Sequence, residues 1–467
     1  MPEQINIKDI EIKKLELYTS FGLYDLKPHL MEISVFEDIF QPYLTSTVVL
    51  TDSHNISNKL PIVGQETLNM DISLKGFDGQ RDEHVLSVKP PTFHVNSQSS
   101  RYNVNPKTQN FHLDLVSEKY MNTIHTKVSK SYKDTPISSM VLDIHKQYLS
   151  SSGQSLLVED TVKGENIIIP SLNPIKAIQW LAKRAVSEES AVNYLFFEAI
   201  NSSCFLSLSS LSKLDPVATL IHRVRVDDTT GAGHKAESIQ KINKFYYKAQ
   251  FKKHENVANG VYSSKLITHD IVRKKIEQSE YNLFTDWYKL NHCGDYFPIS
   301  NSPLETNSAN VPRVSYAPPR GSVSVDQKEL ANQVDSKVSF YPKHDSLYGD
   351  FRRSGYDNEV ENWKLQRAGH VGNFNGVRLV LEIAGNTGLR VGQTVKVILP
   401  APESTDIDKK SDSANDKYIS GKYIITAIQH IFERTTQNDP RISYAMRIEV
   451  TKDGLEKEVP YKKLREV

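Results

Sequence analysis

Cysteine is nearly missing from this chain. Its 467 residues include two, Cys204 and Cys293, in unrelated contexts and without the paired spacing of a disulfide framework or a zinc site. Stability is therefore expected from packing, in a protein suited to a reducing cytosol. No apolar run approaches the roughly 20 residues that a membrane-spanning helix needs. The opening Met1-Pro2-Glu3-Gln4 is polar, without the apolar centre of a secretory leader. The expectation is a protein neither exported by that route nor embedded in a bilayer. A surplus of either charge is missing as well. With 57 basic and 56 acidic residues the formal net charge is +1, which argues against a whole surface devoted to nucleic acid or anionic lipid.

Catalytic signatures are scarce. The chain contains no Gly-x-x-x-x-Gly-Lys-Ser/Thr loop, no Gly-x-Gly-x-x-Gly opening a helix, no Gly-x-Ser-x-Gly elbow and no His-Glu-x-x-His, so phosphate cradles, serine-hydrolase elbows and zinc-peptidase helices are unsupported. His292-Cys293 with Asp295 offers ligand-type side chains, but one cluster without a second pair falls short of a metal site. Glu188-Glu189 and Glu359/Glu361 are acid pairs of the kind glycoside hydrolysis uses, set in segments that read as solvated faces. His84, His94 and His112 fall on separate expected strands. Basic residues gather at Lys252-Lys253-His254, Arg273-Lys274-Lys275 and Arg352-Arg353, the last near Tyr348, Phe351 and Tyr356. Aromatics among basic residues suit a nucleic-acid groove, although the neutral total favours solvated faces and subunit contacts. The reading is of no catalytic residue, no cofactor and no metal.

What the chain does have is a stretch used twice. Leu60-Pro61-Ile62-Val63-Gly64-Gln65-Glu66 leads into Thr67–Ile72, and Gly388-Leu389-Arg390-Val391-Gly392-Gln393 leads into Thr394–Leu399. In each, Val-Gly-Gln precedes residues alternating every second position, as expected for a turn into a half-buried strand. Gly64, Gln65, Gly392 and Gln393 are thus expected to be module corners rather than ligands. The fold class is expected to be mainly β with an α/β insertion, with two similar tube-like β-barrel modules per chain and smaller α/β domains. Residues 8–118 would form the first barrel and 119–215 the insertion, with helices opening at Thr135-Pro136 and Asn173-Pro174. Residues 216–295 would return as strands that pack with the first module and a small domain, Tyr262–Asp270 beside Ile242–Phe251. Residues 296–363 would be a linker or arm ending in a helix near Asp357–Ala368. Residues 364–453 would form the second barrel, its 403–417 loop charged and rich in Ser and Asp, and 454–467 a charged tail. Abundant tyrosine, 22 residues, with little catalytic signature fits a part that contacts other proteins.

The order of these parts resembles the baseplate central hub proteins of contractile-tailed phages, related in fold to the hub portion of type VI secretion spikes. The likeness is carried by Tyr43-Leu44-Thr45-Ser46-Thr47-Val48-Val49-Leu50-Thr51-Asp52-Ser53 before Leu60–Glu66, then Phe111–Ser117 with Lys127-Val128-Ser129-Lys130-Ser131-Tyr132. Ile169-Pro170-Ser171-Leu172-Asn173-Pro174 follows, ahead of a helix over Ile175–Val186, and then Tyr194-Leu195-Phe196-Phe197-Glu198. Gly260-Val261-Tyr262 through His269-Asp270, Val391-Gly392-Gln393 and Tyr418-Ile419-Ser420-Gly421-Lys422-Tyr423 complete it. It spans most of residues 8–452 but not 298–356. The resemblance implies a homotrimer with two tube-like modules per chain. Such a ring, approximately six-fold, would adapt a hexameric tail tube to a trimeric central spike, with a channel for tape-measure protein and then DNA. Its implied partners are further copies of itself, spike, tube, baseplate wedge and tape-measure proteins, and its place the virion tail, assembled in the host cytoplasm. The alternatives are a tail-associated cell-wall hydrolase and a nucleic-acid-binding module around Arg352-Arg353.

Overall fold

Alternation writes most of the strands: Thr45–Asp52, for example, buries every second side chain, the period of a sheet with one face inward. The computed structural model describes residues 10–59, 62–74, 87–88, 92–150, 155–162, 164–222, 240–250, 252–271, 274–298, 334–343, 360–374, 376–401, 415–434 and 442–457. The first part supplies β1 (Ile10–Thr19), β2 (Gly22–Asp25), β3 (Leu30–Asp38), β4 (Thr45–Asp52), β5 (Thr67–Leu74), β6 (Ser87–Val88), β7 (Phe93–Asn105) and β8 (Thr108–Ser117). The insertion adds β9 (Ser131–Pro136), β10 (Ser155–Val158), β11 (Gly164–Ile168), β12 (Tyr194–Ala199) and β13 (Ser202–Ser207). Then come β14 (Ala218–Ile221), β15 (Ile242–Gln250), β16 (Ser263–Asp270), β17 (Lys275–Asn282) and β18 (Val338–Lys343). The last part holds β19 (Val377–Ala384), β20 (Thr394–Ile398), β21 (Gly421–Arg434) and β22 (Ile442–Lys452).

The strands of the first and last parts do not make two barrels. Among the described residues they join one 14-stranded sheet in the order β14-β20-β21-β3-β4-β8-β7-β5-β1-β22-β19-β15, with β2 on β1 and β6 on β5, and no sheet there is closed into a barrel or strongly curled. The hairpin β21–β22 lays its β21 edge along β3, from Ala427 opposite Asp38 to Glu433 opposite Glu32. β22 meets β1 only at Ile442 opposite Ile10. A strand edge must find hydrogen-bond partners somewhere, and here β3 and β21 find them in each other. The expectation of two tube-like barrels is therefore corrected to one shared sheet. Its core is continuous across both parts, running from Leu15, Ile33 and Phe111 to Leu379, Ile428 and Ile448.

The insertion has its own core, built on Ile137, Val141, Ile178, Leu181 and Phe205. One helix, Pro174–Ala182, begins as Asn173-Pro174 dictates, with Asn173 Oδ1 accepting from Ile175 N at 3.0 Å. The other, Ile137–Ile144, begins one residue later than expected, because Thr135 and Pro136 are still extended in β9; Pro136 offers no side-chain acceptor, and Thr161 Oγ1 accepts from Ser138 N at 3.0 Å instead. β12 is buried on both faces: Leu195 and Phe197 enter the large core, Tyr194 and Phe196 that of the insertion.

β16 is not the neighbour of β15. The helix Lys253–Ala258 carries the chain away, so β15 pairs with β19 and β16 lies between β17 and β18. A third core, with Val261, Tyr262 and Leu266, forms under the helix Val360–Asn373. That helix runs five residues past the expected end at Ala368, and the first three residues of the expected span lie outside the described ones. The 298–325 arm, apart from Pro298, and most of the 403–417 loop and the tail fall outside the described residues.

Candidate functional site

The two Val-Gly-Gln corners each open a strand of the large sheet, β5 and β20. Gly64 has φ +91° and Gly392 φ +82°, a region that residues with a Cβ avoid. The hydrogen bonding around them differs. At the first corner the buried Glu66 folds back, and its carboxylate accepts from the backbone N of Val63 (3.0 Å), Gly64 (2.9 Å) and Gln65 (3.1 Å). Gln65 itself is exposed. At the second corner Gln393 Oε1 accepts from Arg390 N at 2.9 Å, while Gly392 N donates to Ile425 O and Ile425 N to Gln393 O, both at 2.9 Å. The carboxylate there comes from another strand: Glu37 Oε2, on β3, accepts from Val391 N at 3.4 Å.

Glu37 is also the hub of the joint between the two parts. Its Oε1 lies 3.3 Å from His430 Nε2 on β21, and His430 Nδ1 lies 2.8 Å from Tyr444 Oη on β22. The side chains of Glu37 and His430 are wholly shielded from solvent. The trio has the residue types of acid–base chemistry but no access for a substrate, so it acts as a polar tie inside an apolar core. A second tie fastens the insertion. Glu198 on β12 receives Lys119 Nζ at 3.0 Å, Leu44 N at 3.0 Å and Ser117 Oγ at 2.7 Å, and Lys119 Nζ reaches Ser203 Oγ at 2.6 Å. A third is Lys452, whose Nζ donates to the carbonyls of Tyr418 (2.6 Å), Ile419 (3.0 Å) and Ser420 (3.0 Å). Burial pulls the ammonium down to about 8.

Neither Glu66 nor Glu37 stands out as a site in the sequence. Glu66 directly follows the repeated motif, where backbone N–H groups converge in a turn, and that placement is its only signal. Glu37 carries none, because its partners lie hundreds of residues away.

The chemical candidates disperse. His292 stacks on Trp287 (ring centroids 3.3 Å apart) with Nδ1 2.7 Å from Asp453 and Nε2 2.7 Å from Trp287 O. Burial opposes its protonation, but the Asp453 carboxylate and the Trp287 carbonyl together outweigh this and raise its pKa. Cys293 is buried, and burial pushes its thiol far up. Cys204 is pushed to about 11 for the same reason. Both cysteines are free, and Asp295 is exposed. Among the described residues no three metal-ligating side chains converge. His94 lies opposite Thr67 and Val116, and His112 opposite Val49 and Ser99, so the registers keep them apart. Glu189 binds Lys213 and Asn291, and Glu361 binds Lys343. His84, Glu359, Arg273, Arg352-Arg353, Tyr348, Phe351 and Tyr356 lie outside the described residues, and of Lys252-Lys253-His254 only the exposed Lys252 side chain is described.

Compared with known proteins, the chain matches no protein-family model and no curated protein sequence. Solved structures do match it, over nearly its whole length. A tail protein from Neisseria meningitidis MC58 superposes with a TM-score of 0.51 at 11% identity, covering 95% of this chain and 97% of that one. The 43 kDa tail protein of prophage MuSo2 from Shewanella oneidensis gives 0.49 at 8% identity, over 94% and 97%. A component of the type VI secretion system of E. coli gives 0.40 at 9% identity, over 96% and 79%. The fold is thus similar to that of the Neisseria meningitidis tail protein.

Proposed function

We propose that this protein is a structural baseplate hub: a homotrimeric adaptor that joins a six-fold tail tube to a three-fold central spike. The observation that carries the reading is the likeness to a tail protein along 95% of this chain and 97% of the other, which leaves no large part of either fold unmatched. Two strand-opening corners, around Gly64 and Gly392, recur within one sheet. Three chains would therefore present six related positions to a six-fold partner while keeping three-fold symmetry toward the spike. Polar ties shielded from solvent suit a part that must hold its shape rather than turn over a substrate. In this reading the ring surrounds a channel for tape-measure protein and DNA and contacts wedge proteins. It belongs to the virion tail, assembled in the host cytoplasm, and makes or breaks no covalent bond.

Sedimentation equilibrium of the purified chain tests it. The expected mass is three times the 53.0 kDa of one chain, unchanged on dilution through the low-micromolar range, with spike protein joining in a three-to-three complex. A chain that stays monomeric at every concentration, or that clears peptidoglycan in an activity gel, would overturn the reading.

A further inference from the structure

The last turn of the helix Val360–Asn373 rests on a buried seam, and the side chain it sends there is His370. The ring meets Tyr281 of β17 edge to face, with 6.2 Å between centroids. Gly369 brings the helix backbone against the same tyrosine, where a Cβ would collide with Cε1. Among the described residues neither ring nitrogen of His370 has a hydrogen-bond partner and both are shielded from solvent, and Tyr281 Oη is in the same condition. A cavity of about 10 Å³ adjoins the ring, between Trp287, His292, Asn373 and Asp453. It has room for about one water molecule, too little to hydrate an ion. Burial holds the imidazole neutral, its pKa pulled down to about 4.

The charges around the ring are already committed. Asp453 accepts from His292 Nδ1 at 2.7 Å and from Cys293 N at 3.0 Å, and Asp286 holds Lys289 at 2.6 Å. Both carboxylates favour a proton on His370 and His292 disfavours one, but burial outweighs them all. Toward the insertion the ring borders a cleft of about 450 Å³, whose charged groups are Glu165, Glu188, Asp286 and Lys289. Two cations stand beside that cleft. Arg367, on the same helix, donates to Ala182 O at 3.1 Å and Val192 O at 2.9 Å, and Arg184 stacks over Trp180. The other charges of the helix seat, Glu277, Lys343 and Glu361, with Asp270 opposite Lys343, gather at its first turn.

We propose that this seam is an acid-operated latch: a proton taken by His370 finds no acceptor in the closed joint, and the helix Val360–Asn373 lifts to give the imidazolium to water. The inference goes beyond the hub reading and does not rest on it. Its sign follows from the ring being neutral when seated and ordinary when exposed, so that the open form binds the proton first. The seated helix has its full stability above about pH 6.5 and loses it as pH falls toward about 4. His292 works the other way. Its pKa is raised, so its pairing with Asp453 holds in acid and weakens only as pH rises. Acid therefore frees the helix while its seat stands, and uncovers Val261, Tyr262 and Leu266 of the third core.

Amide hydrogen exchange of the full-length chain tests this, read on peptides by mass spectrometry and corrected for the intrinsic pH dependence of exchange. Between pH 7.5 and 4.5 the protection of residues 360–374 is expected to fall roughly 70-fold, the ratio set by ring values of 6.5 when open and about 4 when seated. The β21–β22 hairpin should stay protected. In His370→Gln and His370→Leu, which take up no proton at this position, the helix should show no such fall. A helix that loses no more protection than the hairpin, or loses as much in either variant as in the wild type, would overturn the latch. The wild-type comparison of helix with hairpin needs no variant and can overturn it alone.

Discussion

Gly64 and Gly392 share a backbone requirement but not a neighbourhood, and the difference can be measured. Both sit at positive φ outside the range of ordinary L residues, where adding a Cβ costs about 1–2 kcal/mol. Around Gly64 there is room: a Cβ would come no closer than 3.6 Å to Val95 O. At Gly392 it would stand 3.1 Å from Phe197 Cζ, and Phe197 is itself buried on the two-sided strand β12. Strain is then joined by overpacking, which typically adds about 1–3 kcal/mol. Gly64→Ala is expected to lower stability by about 1–2 kcal/mol, and Gly392→Ala by at least about 1 kcal/mol more. Urea unfolding with unchanged m-values reads this difference directly. Equal losses would mean that Phe197 yields freely and that the corner is held by conformation alone.

At the scale of elements, what matters is how each piece is fastened. The insertion is tied through Lys119 and Glu198, whose side chains are 3% and 0% exposed. Removing one member of such a pair strands a charge in the interior, at a cost of about 3–5 kcal/mol. Lys119→Met alone and Glu198→Gln alone should therefore each destabilise strongly. The double variant Lys119→Met with Glu198→Gln should lose less than the sum, with a coupling of about 1–3 kcal/mol in the double-mutant cycle. Additive losses would show that the pair is incidental and that hydrogen bonds to Leu44 N and Ser117 carry the joint. Sequence reveals such elements unevenly. Asn173-Pro174 fixes a helix start because a side-chain acceptor and a preset φ act within three residues. The alternation of Thr45–Asp52 fixes which face is buried. Glu198 sits in an apolar run, Tyr194–Ala199, where nothing local marks it as the partner of Lys119, 79 positions earlier in the chain. The neighbour of β15 was equally hidden: Phe245, Tyr246 and Tyr247 announce a strand, but a strand's period does not say which edge it will join.

The same limit governs the whole molecule. Two copies of a corner-and-strand motif invite the idea of two self-contained barrels, because each half has strands enough to be a domain. Periodicity cannot tell a sheet that closes on itself from one that borrows its neighbour's edge, and here β3 and β21 are edges to each other. Residues 1–215 alone would leave the outer edge of β3 unpaired. Glu37 would lose both His430 and Val391 N, and Ile33 and Val35 would lose the side of the core that Ile428 and Phe432 supply. Several kcal/mol for an uncompensated buried carboxylate, added to the lost apolar burial, is comparable with the roughly 5–15 kcal/mol that holds a typical domain together. The fragment is therefore expected to be expanded or aggregated, binding hydrophobic dye and lacking near-ultraviolet dichroism. Co-expression with residues 216–467 should restore a soluble complex, because the missing edge and the missing partners of Glu37 return together. A monomeric 1–215 fragment that unfolds cooperatively would show that the first half satisfies its own edges, and the shared sheet would then be a contact between two finished domains rather than the condition for either to fold.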